Sequence, residues 1–135
     1  MSFYQQEVYR IRAAIFPHAH RREQALAARR FIEQRYAEPI SLRDIADAAG
    51  CSRFHFLRLF RQYYGRTPHQ YLTTVRLREA RRLLRSGTLA TEACFAVGFD
   101  SVASFTALFR RQHGCPPGSF AVRARQKSNI EEAAD

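Results

Sequence analysis

Residues 52 to 71 read S-R-F-H-F-L-R-L-F-R-Q-Y-Y-G-R-T-P-H-Q-Y, and residues 101 to 120 read S-V-A-S-F-T-A-L-F-R-R-Q-H-G-C-P-P-G-S-F. The second stretch repeats the first at a constant offset of 49, so that Phe56 pairs with Phe105 and Gly65 with Gly114. Upstream, residues 45–50 pair with residues 93–98 at an offset of 48. An internal repeat of this kind predicts two copies of one small structural module.

The residues that begin and end the segments of the first copy predict a helix-turn-helix module. Ser41 precedes a short apolar-periodic segment with Asp44 at the third position, as at a helix N-terminus, and Gly50 ends that helix. Ser52 can cap a second helix, which Gly65 ends and whose apolar residues fall at i, i+3, i+4 and i+7: Phe56, Leu59, Phe60 and Tyr63. An ordinary helical hairpin is the alternative. The duplication with matching end signals favours the DNA-binding unit.

The charge of the chain points to a polyanionic partner. The formal net charge is +10, with 21 Arg and a single Lys, Lys127. Residues 40 to 125 hold 14 Arg against five acidic residues, so nearly all the excess lies across the two modules. Arginine suits phosphates and guanine edges because its planar fork binds both. A basic helix on a membrane surface is the alternative, but no segment joins its Arg to an apolar face of sufficient length.

A long helix is predicted between the modules, with Thr67 as N-cap, Pro68 as first residue and Gly87 after its end. Its apolar stripe comprises Tyr71, Leu72, Val75, Leu77, Ala80, Leu83 and Leu84, and Arg76, Arg78, Arg81, Arg82 and Arg85 are expected at the edges. About 19 residues give a rod of roughly 28 Å. This is comparable with the roughly 34 Å between successive major-groove faces of DNA.

Other chemistry is poorly supported by the sequence. We expect one soluble intracellular domain or two small subdomains, because no apolar run nears 18 residues and no signal-peptide pattern is seen. Cys51, Cys94 and Cys115 are interpreted as free thiols, Cys94 in the core and the others in turns. His18 and His20 could bind a metal but are better explained as a solvated loop. No motif suited to catalysis is found, and neither a metal nor a cofactor is expected.

The residues match a known family. The tandem modules, R-x-x-x-A-x-x-L-L in the linker helix (Arg76, Ala80, Leu83, Leu84), A-V-G-F (residues 96–99), the F-x-x-x-F stripes and the two G-x-x-P-x-x-[YF] closings resemble the AraC/XylS family of bacterial transcription regulators. The resemblance covers about residues 22 to 125. It implies a seven-helix DNA-binding domain that recruits or obstructs RNA polymerase at promoters. Because too few residues precede Arg22 for a ligand-sensing domain, the chain resembles the stand-alone subgroup or a detached DNA-binding portion.

The face of the second helix opposite its core stripe is the predicted base-reading surface. It carries Phe54, Arg58, Arg61 and Gln62, with Arg53 and Leu57 flanking. In a major groove Arg58 can fork onto guanine O6 and N7 while Phe54 packs on thymine methyls. The family also places its base contacts on these turns. The alternative is that Phe54 covers a neighbouring helix.

The corresponding helix of the second module departs from the family pattern. Its predicted DNA-facing residues are Val102, Ala103, Ser104, Thr106, Ala107, Arg110 and Arg111. Ala107 stands where the family commonly has Arg, and Ala93 and Cys94 replace the usual Ile-Ala anchor. Leu89 stands where Ser41 caps the first module. We therefore expect the second module to grip phosphates through Arg110 and Arg111, with weak or indirect readout of sequence.

The predicted architecture is all-α, with two helix-turn-helix subdomains joined by a long linker helix and an extra N-terminal helix. The expected segments are 1–20 (N-terminal extension), 21–66 (first subdomain), 67–87 (linker helix), 88–125 (second subdomain) and 126–135 (a disordered tail). The stripe of Tyr4, Val8, Ile11 and Ile15, up to the break at Pro17, either packs within the chain or pairs with another subunit.

The expected function is a non-enzymatic, sequence-specific transcription regulator in the cytoplasm at the nucleoid. It would insert two recognition helices into adjacent major-groove segments as a monomer, act through RNA polymerase, and need neither a membrane nor a sensor domain in this chain. One alternative is a module that binds RNA polymerase or another regulator with little specific DNA binding. The other is a thiol enzyme, whose only support is the proximity of His113 and Cys115.

Overall fold

A computed structural model describes residues 2–15 and 17–134, and all its regular elements are α-helices. They are α1 (Phe3–Ile15), α2 (Pro17–Arg35), α3 (Leu42–Ala49), α4 (Arg53–Tyr64), α5 (Pro68–Arg85), α6 (Ala90–Ala96), α7 (Val102–His113) and α8 (Pro117–Ala134). The predicted all-α class is confirmed, with two helix-turn-helix units (α3–α4 and α6–α7), a long helix between them and an extra helix in front. The chain forms two compact units, one ending at Leu72 and the other beginning at Thr73, so α5 starts in the first and continues in the second.

The first unit is built around α2, which packs against α1, α3 and α4. Ala25, Ala28 and Ile32 of α2 are buried together with core residues of the other helices, including Ile45 and Phe56. The predicted boundary at residue 20 falls inside α2, which runs unbroken from Pro17. The solvated loop predicted at His18 and His20 is wrong, because both residues lie in this helix and His20 is buried.

The N-terminal helix α1 packs against α2, which agrees with packing inside the chain. Phe3, Tyr4 and Ile11 are nevertheless exposed, and Val8 is half-buried. The side chain of Ile15, the last member of the predicted stripe, lies outside the described residues. The predicted break is present, since α1 ends at Ile15 and α2 begins at Pro17.

The second unit packs α6, α7 and α8 against one another. Its core contains Cys94, Val97, Phe105 and Phe109, and Leu77, Ala80 and Leu84 of α5 are buried as predicted. Helix α8 continues to Ala134, whereas the sequence predicted disorder from Gln126. The segment is polar, but Gln, Lys, Glu and Ala are good helix formers, and extending an existing helix avoids the cost of nucleation.

The two modules repeat their packing geometry as well as their sequence. The ring centroids of Phe56 and Phe60 are 5.6 Å apart, and those of Phe105 and Phe109 are 5.7 Å apart. Phe60 meets Tyr71 edge-on at 5.7 Å, and Phe109 meets Phe120 edge-on at 5.8 Å. The constant sequence offset therefore reflects one folded module used twice.

Candidate nucleic-acid interface

Helix α4 is fixed by caps at both ends. The Ser52 hydroxyl accepts a hydrogen bond from the His55 backbone N–H at 3.3 Å, which satisfies one free donor of the first turn. At the other end Gly65 adopts φ 70°, a left-handed conformation that favours glycine, and its N–H donates to the Arg61 carbonyl at 2.9 Å. The start and end of the helix are therefore set by Ser52 and Gly65, as predicted from the sequence.

The two faces of α4 differ sharply in burial. Phe56, Leu59 and Phe60 are buried, while the predicted base-reading face is exposed at Arg53, Phe54, Arg58, Arg61 and Gln62, with Leu57 half-buried. The structure thus brings all six predicted residues of this helix to one surface. Phe54 is 78% exposed, so it does not cover a neighbouring helix. An aromatic ring left in water gains none of the free energy of burial, which suits a side chain that contacts a partner.

Tyr64, rather than the predicted Tyr63, completes the core side of α4. Tyr63 is 42% exposed, whereas the Tyr64 ring lies 4.6 Å from that of Phe60. The Tyr64 hydroxyl donates to the Ala25 carbonyl of α2 at 2.9 Å. The repeat contains a signal for this, because Tyr64 pairs with His113, whose ring lies 4.5 Å from Phe109, while Tyr63 pairs with the polar Gln112.

A second tyrosine contact supports the same helix. The Tyr71 hydroxyl donates to Glu33 Oε1 at 2.6 Å, and the Tyr71 ring stacks on that of Tyr64 at 6.1 Å. Burial raises the pKa of both tyrosines, and contact with the Glu33 carboxylate raises that of Tyr71 further. Both hydroxyls therefore remain protonated donors that hold α4 and the start of α5 against α2.

Helix α7 has the same caps but a different exposed surface. Ser101 accepts from the Ser104 N–H at 3.3 Å, and Gly114, at φ 84°, donates to the Arg110 carbonyl at 2.9 Å. Of the predicted contact residues, Val102, Ala103, Ser104, Ala107, Arg110 and Arg111 are exposed and Thr106 is half-buried. The first two turns present small side chains, and the last turn carries the charge.

The first helices of the two modules differ at their N-termini. In α3 the Ser41 hydroxyl accepts from the Asp44 N–H at 3.1 Å, and the Asp44 carboxylate accepts from the Ser41 N–H at 2.8 Å. These hydrogen bonds lower the pKa of Asp44. In α6 the N-cap is Leu89, and it makes no side-chain hydrogen bond. The second module therefore lacks the capping box of the first.

The linker arginines do not all stay at the edges of α5 as predicted. Arg78, Arg82 and Arg85 are exposed, but Arg76 and Arg81 are half-buried. Arg76 Cζ lies 5.9 Å from the Phe99 ring centroid and Arg81 Cζ lies 5.5 Å from that of Phe120. Burial lowers the pKa of Arg76. These two arginines stabilise the second unit through cation–π contacts.

Two of the three thiols, those of Cys51 and Cys94, sit in surroundings that oppose nucleophilic chemistry. Burial raises the pKa of Cys51 to about 11 and also raises that of Cys94, so both remain thiols at neutral pH. The His113 ring contacts the Leu77 carbonyl at 3.2 Å. Burial, reinforced by the nearby Arg81 and Arg85, lowers the pKa of His113. Within the described residues, no group of three or more His, Cys, Asp or Glu could hold a metal ion, and no helix is long and apolar enough to cross a membrane.

Two helix-turn-helix units, each with a capped second helix that exposes one face, define a tandem helix-turn-helix DNA-binding domain. Comparison with known proteins agrees, since the helix-turn-helix domain family matches residues 45–123. The chain belongs to the AraC/XylS family of transcription regulators.

Relatives and solved structures show how far this similarity extends. The HTH-type transcriptional activator RhaS of Escherichia fergusonii is 39% identical over 88 residues, which is 64% of this chain and 32% of RhaS. An AraC-type transcriptional regulator from Chromobacterium violaceum superposes with a TM-score of 0.71 and 31% identity, covering 81% of this chain and 98% of that one. The DNA-binding domain of AdpA, in complex with a target DNA, superposes with a TM-score of 0.72 and 28% identity. This match covers 78% of this chain and 96% of the AdpA domain. The chain thus spans about a third of the length of RhaS but nearly the full length of the two solved chains.

Proposed function

We propose that the chain regulates transcription by inserting α4 and α7 into adjacent major-groove segments of promoter DNA. The observation that carries this proposal is the exposed face of α4, where an uncovered Phe54 lies beside Arg58 on a helix that is otherwise well packed. The family and the DNA-bound AdpA domain support DNA as the partner. Action through RNA polymerase, and a place in the cytoplasm at the nucleoid, belong to the same proposal.

The two helices have different roles in this proposal. On α4, Arg58 binds a guanine edge and Phe54 packs on thymine methyls, while Arg53, Leu57, Arg61 and Gln62 contact neighbouring bases and phosphates. On α7, Arg110 and Arg111 bind phosphates, and the small residues Val102, Ala103, Ser104, Thr106 and Ala107 allow close approach without a hydrogen-bond code. The chain binds as a monomer because unlike helices in one chain do not need a palindrome.

The function proposed here is non-enzymatic. The elevated pKa values of Cys51 and Cys94 argue against a nucleophile at those two positions. The His113 ring, on which the thiol-enzyme alternative at Cys115 depends, contacts the Leu77 carbonyl. The relatives are transcription regulators, which supports the same conclusion.

Salt titration of DNA binding tests this function against the alternative of a protein-interaction module. Binding of the chain is measured by fluorescence anisotropy from about 50 to 200 mM salt. Two duplexes are compared, one selected from randomised DNA for binding to the chain and one of random sequence. Because several phosphates would be neutralised, affinity should fall by about 10³-fold or more over this range while the selected duplex stays preferred. A flat salt dependence, or equal affinity for both duplexes, would favour the protein-interaction role.

A further inference from the structure

The second unit contains a cavity that the DNA-binding surface does not use. It has a volume of about 600 Å³ and lies among the end of α5, the turn between α7 and α8, and α8 itself. Its lining includes Arg85, His113, Cys115, Phe120, Arg123 and Lys127. Small-molecule sites in proteins typically have volumes of about 300 to 1,000 Å³.

The cavity carries an excess of positive charge, with Arg85, Arg123 and Lys127 against the single acid Glu131 in its lining. None of the ion pairs found among the described residues involves Arg85, Arg123 or Lys127. Glu131 is the one acid in the described lining. The lowered pKa of His113 agrees with this, since Arg81 and Arg85 add to the effect of burial. An anion entering here would meet at least three cationic side chains.

One wall of the cavity is aromatic. The Phe120 ring has two cations nearby, with Arg81 Cζ at 5.5 Å and Arg85 Cζ at 6.0 Å from its centroid, and Ala124 also lines the cavity. A bare inorganic anion would leave this surface unused. A ring with a few convergent polar groups around it is typical of sites for organic molecules.

We propose that this cavity binds a small organic anion, with an apolar or aromatic body on Phe120 and a carboxylate, sulfonate or phosphate group on Arg85, Arg123 and Lys127. DNA is the less suitable occupant. His113 lies on the side of α7 that faces α5, where its ring contacts the Leu77 carbonyl, whereas Ala103, Ala107 and Arg110 lie on the exposed side. The site is therefore distinct from the proposed recognition face of α7.

Binding of 8-anilinonaphthalene-1-sulfonate, a fluorescent aromatic anion, tests the proposal directly. The chain should bind the dye saturably at one equivalent, and benzoate or phenyl phosphate should displace it. Arg123→Glu should weaken binding about tenfold or more, the usual scale for loss of one charge-assisted contact and its replacement by repulsion. The matched control is Arg125→Glu, because Arg125 is exposed on the same helix and does not line the cavity. Arg125→Glu should change the affinity less than twofold.

Cys115 provides a second readout that needs no variant. Cys115 is a free cysteine that lines the cavity, while Cys94 is buried and the pKa of Cys51 is raised to about 11. Saturating benzoate should slow alkylation of Cys115 by iodoacetamide, measured by peptide mass spectrometry, and leave Cys51 unchanged. Equal loss of dye binding in Arg123→Glu and Arg125→Glu, displacement of the dye by random-sequence duplex, or unchanged alkylation of Cys115 would each overturn the proposal.

Discussion

At the scale of single residues, Phe54 and Arg58 are the most informative pair in the first module. They lie one helical turn apart on the exposed face of α4, and Ser52 and Gly65 fix the helix that carries them. Their counterparts at the repeat offset are Ala103 and Ala107, which have neither a ring nor a charge. The proposed difference in base readout between the modules therefore results from two substitutions within the repeat, Phe54 to Ala103 and Arg58 to Ala107.

Arg58→Ala should weaken binding to the selected duplex by about 1 to 3 kcal/mol and leave binding to random DNA nearly unchanged, because a bidentate guanine contact is lost. Arg110→Ala is the comparison, since Arg110 is an exposed arginine near the end of α7. As a phosphate contact it should weaken both duplexes alike and reduce the salt slope by about one. If the two variants behave the same way in anisotropy titrations, Arg58 does not read a base.

His113 should make the stability of the second unit sensitive to mild acid. Its pKa in the folded chain is lowered from 6.5, first by burial and then by Arg81 and Arg85. Protonation of His113 therefore opposes folding. The contribution of neutral His113 to the free energy of unfolding is fully present above about pH 6.5, and it is lost as the pH drops from there through the folded-state pKa. Urea unfolding at pH 7 and pH 5 should show this loss. His113→Gln, which keeps a donor for the Leu77 carbonyl, should flatten the pH dependence, and an unaltered slope would contradict the assignment.

At the scale of helices, the modules differ most where α3 and α6 begin. Ser41 and Asp44 form a reciprocal cap on α3, whereas Leu89 leaves α6 without a side-chain cap. Leu89 is 53% exposed and already has the extended backbone of an N-cap, with φ −65° and ψ 148°. Glu92 stands at the third helical position, so half of a capping box is already in place.

Leu89→Ser should therefore stabilise the chain by about 1 kcal/mol in urea unfolding, because a serine N-cap typically contributes about 0.5 to 2 kcal/mol. Leu89→Ala is the control, since it removes the same exposed apolar surface without adding an acceptor. The gain should appear with serine only. Equal stability of the two variants would show that α6 is already satisfied by other contacts.

The ends of several helices could be predicted from the sequence, whereas some of their packing contacts could not. Serine and glycine signals located both ends of α4 and α7, because capping is a local interaction. Whether Tyr63 or Tyr64 packs in the core depends on residues that are distant in the sequence. Helical periodicity favours Tyr63, but the positions of Ala25, Phe60 and Tyr71 draw Tyr64 into the core. The length of α8 was missed because composition alone does not show that a polar segment extends a folded helix.

At the scale of the whole molecule, the sequence repeat predicted the architecture, and the structure confirmed two helix-turn-helix units in an all-α chain. The predicted face of α4 is exposed at all but Leu57, because helix periodicity determines which residues lie opposite the core. The cavity beside Phe120 could not be predicted, because Arg85, Arg123 and Lys127 come from two helices that are separated in sequence by α6 and α7. Only the packing of those helices brings the cations together.

The most direct test of unequal modules is selection of binding sites from randomised duplex DNA, combined with a measurement of stoichiometry. One chain should bind one directional site, with a sharply defined segment under α4 and a degenerate segment under α7 whose preferences reflect thymine methyls or DNA shape. Selection with Arg58→Ala should blur the sharp segment and leave the other unchanged. A palindrome bound by two chains, or a sharper segment that responds to substitutions between Val102 and Arg111 instead of Arg58, would contradict the proposed roles of the two helices.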